Sequence, residues 1–104
     1  MKKDLAKRYF LDFEKVFEAR CAYPSLSKIQ AGDQIEFQWS DESCLKTVVE
    51  VRRYQTVGDM LEKEVISDLL PGTTTFIEAL KIYNSIYSPK KVRQNGGMLI
   101  FQLE

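Results

Sequence analysis

The chain has 104 residues, 44% of them hydrophobic and 29% charged, which suits one globular domain with a single modest core and excludes a disordered chain. Fifteen Lys and Arg balance fifteen Asp and Glu, so no overall field draws the protein to nucleic acid or to an anionic membrane, and a polyanion must be met by a local patch. With no histidine and with Cys21 and Cys44 far apart, the chain lacks the soft ligands of a structural zinc site and the imidazole of Ser/His/Asp or Cys/His catalysis.

At the N-terminus, MKKDLAKRYF carries charges where a signal peptide needs an apolar stretch, and no run of about eighteen apolar residues follows anywhere. A soluble, cytoplasmic domain with no membrane partner, no metal and no cofactor is expected. Asp4 to about Phe13 reads as a helix, with Leu5, Tyr9 or Phe10, and Phe13 recurring every three to four residues and Asp4 as its N-cap. Lys2, Lys3, Lys7 and Arg8 near its start oppose the helix dipole, so they form a solvated face or serve an anionic partner.

From Val16 to Cys21 a period of two sets Phe17, Ala19 and Cys21 on one face of a strand and Val16, Glu18 and Arg20 on the other. The carboxylate and the guanidinium are therefore neighbours. Lys15 falls on the apolar side unless the strand begins just after it. A lysine held at such a mouth loses hydration, which lowers its pKa and makes it a usable base or nucleophile. The alternative is an exposed edge with a Glu18/Arg20 pair worth well under about 1 kcal/mol. Cys21, on the apolar face, is expected to pack.

Tyr23 to Gln30 reads as a loop around Pro24, and Ala31-Gly32-Asp33 as a turn. Gln34 to Trp39 alternates as a strand with Ile35, Phe37 and Trp39 inward, and Ser40 to Ser43 closes a hairpin. The returning strand, Leu45 to Tyr54, places Leu45, Thr47, Val49 and Val51 together on one side. Thr56 to Asp59 opens a short helix reaching about Glu64, and Pro71-Gly72 ends the turn that follows. Thr75 to Glu78 has the spacing of a capping box for a helix to about Tyr87, with Phe76, Leu80, Tyr83 and Tyr87 as its buried stripe, widened by Ala79 and Ile86. Ser88-Pro89 stops it, and Lys90 to Gly97 reads as a basic, flexible loop. The last strand, Met98 to Leu103, is apolar on both faces and is therefore expected to be central. This order of elements fits a small barrel, mainly β, flanked by helices. Residues 1–104 form one domain, with no repeats or linkers.

Two kinds of binding surface follow from the residues. Arg52-Arg53-Tyr54 and Lys90 to Arg93 supply cations, and Trp39 or Tyr23 an aromatic face for a base, as an RNA or nucleotide binder needs. A protein-interaction module would instead use the short helix Val57 to Glu64.

The ordered set Lys15, Glu18, Arg20, then Tyr23-Pro24-Ser25-Leu26, Ile29, Gly32-Asp33 and the strand Ile35 to Phe37 resembles the opening of an ASCH domain, a family of the PUA-like group with Gly-x-Lys-x-x-Glu-x-Arg followed by a Gly-Asp turn. The resemblance continues through Val49 to Tyr54, Met60 to Glu64, Leu70-Pro71-Gly72, Glu78, Ile82-Tyr83, Ile86-Tyr87-Ser88 and Gly97 to Ile100, and so spans nearly the whole chain. Phe13 stands where the family has its glycine. The resemblance implies a PUA-like pseudobarrel whose cleft, formed by Lys15, Glu18, Arg20 and Glu78 with Tyr23 or Tyr83 nearby, holds RNA, a nucleotide or a modified nucleobase. One branch of the family removes the acyl group from N4-acylated cytidine with the lysine, a hydroxyl residue three positions on and the helix glutamate. Lys15 and Glu78 match that branch, and Glu18 replaces its threonine. An amidohydrolase built this way would activate water with Glu18 or Glu78 while Lys15 or Arg20 stabilises the oxyanion.

Overall fold

A computed structural model describes residues 16–38 and 42–104. The helix expected from Asp4 to Phe13, Lys15, Trp39 and the hairpin residues Ser40 and Asp41 lie outside the described residues. Four strands, β1 (Val16–Cys21), β2 (Gln34–Gln38), β3 (Ser43–Tyr54) and β4 (Met98–Leu103), form one antiparallel sheet in the order β1-β4-β3-β2. The sheet curls into a half-barrel, and helices flank it. Between β3 and β4 run α1 (Val57–Lys63), α2 (Ile66–Leu69), α3 (Phe76–Ile86) and α4 (Pro89–Gln94). None of these helices is long and apolar enough to cross a membrane.

β4 pairs with β1 on one side and β3 on the other, and Met98 to Phe101 and Leu103 are all buried. A strand covered on both faces needs no polar side, which is why this segment does not alternate. Its two faces serve two cores. Met98 and Ile100 join Cys21 and the helix residues Met60, Leu61, Ala79, Tyr83 and Val92. Leu99, Phe101 and Leu103 join Val16, Ala22 and Val48 on the concave side, against half-buried Leu26, Ile29, Ile35, Phe37 and Val51.

A hydroxyl side chain caps each of the three longer helices. Thr56 accepts from the Asp59 amide at 3.0 Å, Thr75 from Glu78 at 3.3 Å and Ser88 from Lys91 at 3.1 Å, each filling one of the donors a helix start leaves open. The last cap corrects the expectation of a loop over Lys90 to Gly97. Pro89 stops α3 and, as the first residue of α4, starts the next helix, because its missing N–H is one the first turn does not need.

The side assigned to β3 needs a second correction. Leu45 and Val49 are exposed, at 58% and 42%, while Val48 is buried and Val51 faces inward. A bulge lies between Val48, paired with Leu103, and Glu50, paired with Gln102. The extra residue reverses the alternation, so even positions face the concave side before it and odd positions after it. The stripe of α3 is also narrower than its spacing suggests. Ala79 and Tyr83 are buried, whereas Phe76 and Ile86 are exposed.

One glycine is fixed by close approach. Gly97 has φ +113°, and a Cβ built on it would stand 2.0 Å from the Tyr54 carbonyl oxygen. Its own carbonyl accepts from Ala22 and its amide donates to Val92, both at 2.9 Å, so β1, β3 and α4 meet at a residue without a side chain.

Candidate functional site

The alternation of β1 decides where its polar residues go. Glu18 pairs with Phe101 and Arg20 with Leu99, so both lie over the concave face, while Phe17, Ala19 and Cys21 turn toward the helices. Arg20 Nε lies 3.0 Å from Glu18 Oε1, with the two side chains 48% and 21% exposed. They open into a cavity of about 240 Å³ walled by Leu26, Ile29, Ile35 and Phe37, with Phe101 at its base and Glu36 at its edge.

The wall is assembled by local hydrogen bonds after β1. Leu26 and Ser27 amides donate to the Tyr23 carbonyl at 2.9 Å, and the Ile29 amide to Leu26 at 3.1 Å, which folds the Pro24-containing segment back over the sheet. The Gln30 amide donates to Asp33 Oδ2 at 2.9 Å and Gly32 to the Val48 carbonyl at 2.8 Å, setting the turn into β2. β2 then contributes Ile35 and Phe37 by simple alternation.

Burial pushes the Glu18 carboxyl above its usual range, and the charge and hydrogen bond of Arg20 offset this only in part. The result is an acceptor and a planar fork of donors side by side against apolar and aromatic walls. Such a pair matches a ring edge that carries a donor next to a carbonyl. On the other flank of Arg20 lies Tyr87, whose phenol is pushed up by burial against the opposing influence of Arg20. Its ring meets Tyr23 edge-on, with centroids 6.3 Å apart.

The remaining candidates are dispersed. Tyr83 is buried in the helix-side core. Glu78 is exposed in the first turn of α3, its amide on Thr75, and does not line the cavity. Arg52 faces the helices. Its Nε and Nη2 donate to Glu64 Oε2 and Oε1 at 2.8 and 2.6 Å, and its Nη1 to Glu50 at 2.9 Å and Gln102 at 3.1 Å. The Tyr54 hydroxyl donates to the same Glu64. Arg53, one residue on, is exposed on the concave side and donates to the Gly96 carbonyl at 3.1 Å and to Ser27 Oγ at 3.2 Å. Among the described residues no three His, Cys, Asp or Glu side chains converge to hold a metal.

Sequence reasoning missed two participants. Tyr87 reads as one more member of a helix stripe, and its place beside Arg20 depends on packing between distant segments. Glu64 carried a signal, because a carboxylate just after the last turn of a helix opposes the dipole and needs a partner from elsewhere.

No protein-family model matches the sequence, and no curated protein matches it. Solved structures do resemble it in fold, among them the following two. The crystal structure of hypothetical protein PH0355 is 25% identical, with a TM-score of 0.83 over 100% of this chain and 93% of that one. The solution structure of PF0455 from Pyrococcus furiosus is likewise 25% identical, with a TM-score of 0.76 over 100% of this chain and 91% of that one. The half-barrel with its flanking helices is thus a fold this chain shares, over its full length, with archaeal proteins.

Proposed function

We propose that the chain is an ASCH-type, PUA-like domain whose concave cavity binds a nucleobase, either in a nucleotide or in RNA. The observation that carries this is the Glu18–Arg20 pair, 3.0 Å apart and set among the apolar walls of a cavity of about 240 Å³ that has Glu36 at its edge. Drug-sized ligand pockets run to roughly 300–1,000 Å³, so this one suits a single small ring system. Phe37 and Phe101 offer it flat apolar contact, while Glu18 accepts from an amino or imino group and Arg20 donates to a carbonyl. The ordered motif set from Lys15 to Ile100 supports the same family.

Titration of cytidine, N4-acetylcytidine and short single-stranded RNAs, followed by amide NMR shifts, tests the proposal. Saturable shifts at Glu18, Arg20, Ile35 and Phe37 are expected. Arg20→Gln and Glu18→Gln should each weaken binding by about tenfold, the equivalent of about 1.4 kcal/mol. Binding indifferent to both substitutions would overturn the assignment.

A second activity, hydrolysis of N4-acylated cytidine, is favoured by the raised carboxyl of Glu18, since a carboxylate made more basic than usual by burial is better suited to take a proton from water. Water would attack the acyl carbonyl as Glu18 takes its proton, Arg20 would stabilise the oxyanion, and the C–N bond would break with the proton passing to the leaving amine. Lys15, outside the described residues, remains the other candidate for oxyanion stabilisation. Release of acid from N4-acetylcytidine, read by mass spectrometry and lost in Glu18→Gln and Lys15→Ala, is the expected result. Intact substrate with the unaltered chain would dismiss hydrolysis and leave the binding proposal standing.

A further inference from the structure

A second cavity, of about 170 Å³, lies among α1, α3 and α4, with Leu80, Pro89 and Val92 as apolar walls. Asn84 and Arg93 also line it. An adjoining hollow of about 380 Å³ shares Gln55, Thr56 and Arg93 with it and runs over Gly96 and Gly97. An apolar cavity of about 150 Å³ takes up benzene, so the slot accepts one ring, and the hollow beside it has room for what the ring carries.

Charge decides what that substituent is. Arg93 is exposed, and its side chain makes no hydrogen bond or ion pair among the described residues, although it lines both spaces. Among the described residues no acidic side chain lines either one, and Lys90 and Lys91 stand on the same helix. Asn84 and Gln55 add exposed amides without partners among the described residues. Among the described residues the guanidinium is therefore a donor fork without an acceptor, placed at the junction of a ring-sized apolar slot and an open polar hollow.

The geometry points to a binding site for a small organic anion, a single flat ring bearing a phosphate or carboxylate, with the ring between Leu80, Pro89 and Val92 and the anion on Arg93. Among the described residues this site shares no lining residue with the concave cavity, and it does not rest on the function proposed for that cavity.

The test is an amide NMR titration of the full chain with phenyl phosphate, benzoate, inorganic phosphate and benzyl alcohol. Phenyl phosphate or benzoate should give saturable shifts at Gly58, Val92 and Gly96, at least tenfold tighter than inorganic phosphate and benzyl alcohol. Whichever of the two binds more tightly identifies the anion. Arg93→Gln should weaken the tighter probe at least fivefold. Gly58→Leu should weaken it by narrowing the slot, and a Cβ there meets nothing nearer than Thr56 Oγ1 at 3.7 Å, so the backbone has no cause to move. Equal affinity for inorganic phosphate and phenyl phosphate would reduce the site to surface charge and overturn the inference. Shifts that do not saturate, or that survive Arg93→Gln unchanged, would do the same.

Discussion

Replacing Glu64 by glutamine removes one negative charge from a carboxylate that accepts from Arg52 Nε, Arg52 Nη2 and the Tyr54 hydroxyl. The Glu64 side chain is 8% exposed and that of Arg52 25%. Glutamine keeps the shape, but its NH₂ end is a donor and every neighbour at that position is also a donor. Hydrogen bonds to charged groups contribute about 1.5–3 kcal/mol, and removing one partner of a buried pair costs about 3–5 kcal/mol. Arg52 keeps some water together with Glu50 at 2.9 Å and Gln102 at 3.1 Å, which softens the loss. We expect Glu64→Gln to cost about 2–3 kcal/mol, a fall in Tm of roughly 8–24 °C for a domain of this size. Calorimetric or circular-dichroism melts at pH 7 read this directly, and a change within about 0.5 kcal/mol would refute the clamp. The pH dependence gives a second check. Burial pushes the Glu64 carboxyl up, but the hydrogen bonds from Arg52 and Tyr54 and the Arg52 charge outweigh it and hold the group below its ordinary value of 4.5. A carboxyl depressed by folding adds stability above its unfolded pKa and loses it as pH falls through the folded value. The acid limb of the stability profile should therefore flatten in Glu64→Gln.

Glu18 should behave in the opposite sense. Its carboxyl is raised in the fold, so ionised Glu18 weakens the protein as pH rises through the folded value. Glu18→Gln should gain stability relative to the parent between pH 4 and pH 7 in urea titrations, and a relative loss over that range would contradict the burial argument. Gly97→Ala should cost about 3 kcal/mol or more, because a Cβ would meet the Tyr54 carbonyl at 2.0 Å. Gly32→Ala has φ +96° but open space around it and should cost only about 1–2 kcal/mol; equal losses in denaturation would mean that β3 yields at Gly97. The bulge in β3 predicts that Val49→Lys stays within about 0.5 kcal/mol while Val48→Ala costs about 2 kcal/mol. The reverse order would restore the unbroken alternation.

What the sequence made legible was the part governed by period and by caps. Alternation in Val16–Cys21 told which residues of β1 would share a face, and the missing alternation in Met98–Leu103 told that β4 would be central. Thr75 three residues before Glu78 fixed the start of α3. The bulge was not legible, since one added residue in a strand of valines changes neither composition nor propensity. Pro89 was ambiguous in principle, because the residue that ends one helix also suits the first position of the next. Of the concave site, Glu18, Arg20, Ile35 and Phe37 were placed by parity. Leu26, Ile29 and Phe101 reach it only through folding of separate segments, and no spacing announces that. Glu78 was read as part of the cleft on resemblance, and here its amide is engaged in capping α3 while its side chain stands in solvent.

The dipeptide Arg52-Arg53 shows how parity turns identical side chains to different uses. β3 sends Arg52 to the helix side, where Glu64 holds it in a bidentate pair, and the hydrogen bonds to Glu64 with the charges of Glu64 and Glu50 raise its pKa above the ordinary guanidinium range against the opposing effect of burial. It sends Arg53 to the concave side, where among the described residues neutral acceptors, Ser27 Oγ and the Gly96 carbonyl, engage it. The loop that holds Ser27 also supplies Leu26 and Ile29 to the cavity wall, so Arg53 stands behind the wall of the proposed base site with its charge uncompensated by any carboxylate contact among the described residues. A phosphate next to a base in that site has a cation to meet there. Substituting both arginines at once would confound folding with binding. Taken singly, Arg53→Gln should leave Tm within a few degrees, weaken RNA binding and lower its salt dependence by about one phosphate contact. Arg52→Gln should lower Tm and leave that salt slope unchanged. If the slope instead follows Arg52, the RNA crosses the helix side, and the concave cavity is not where it binds.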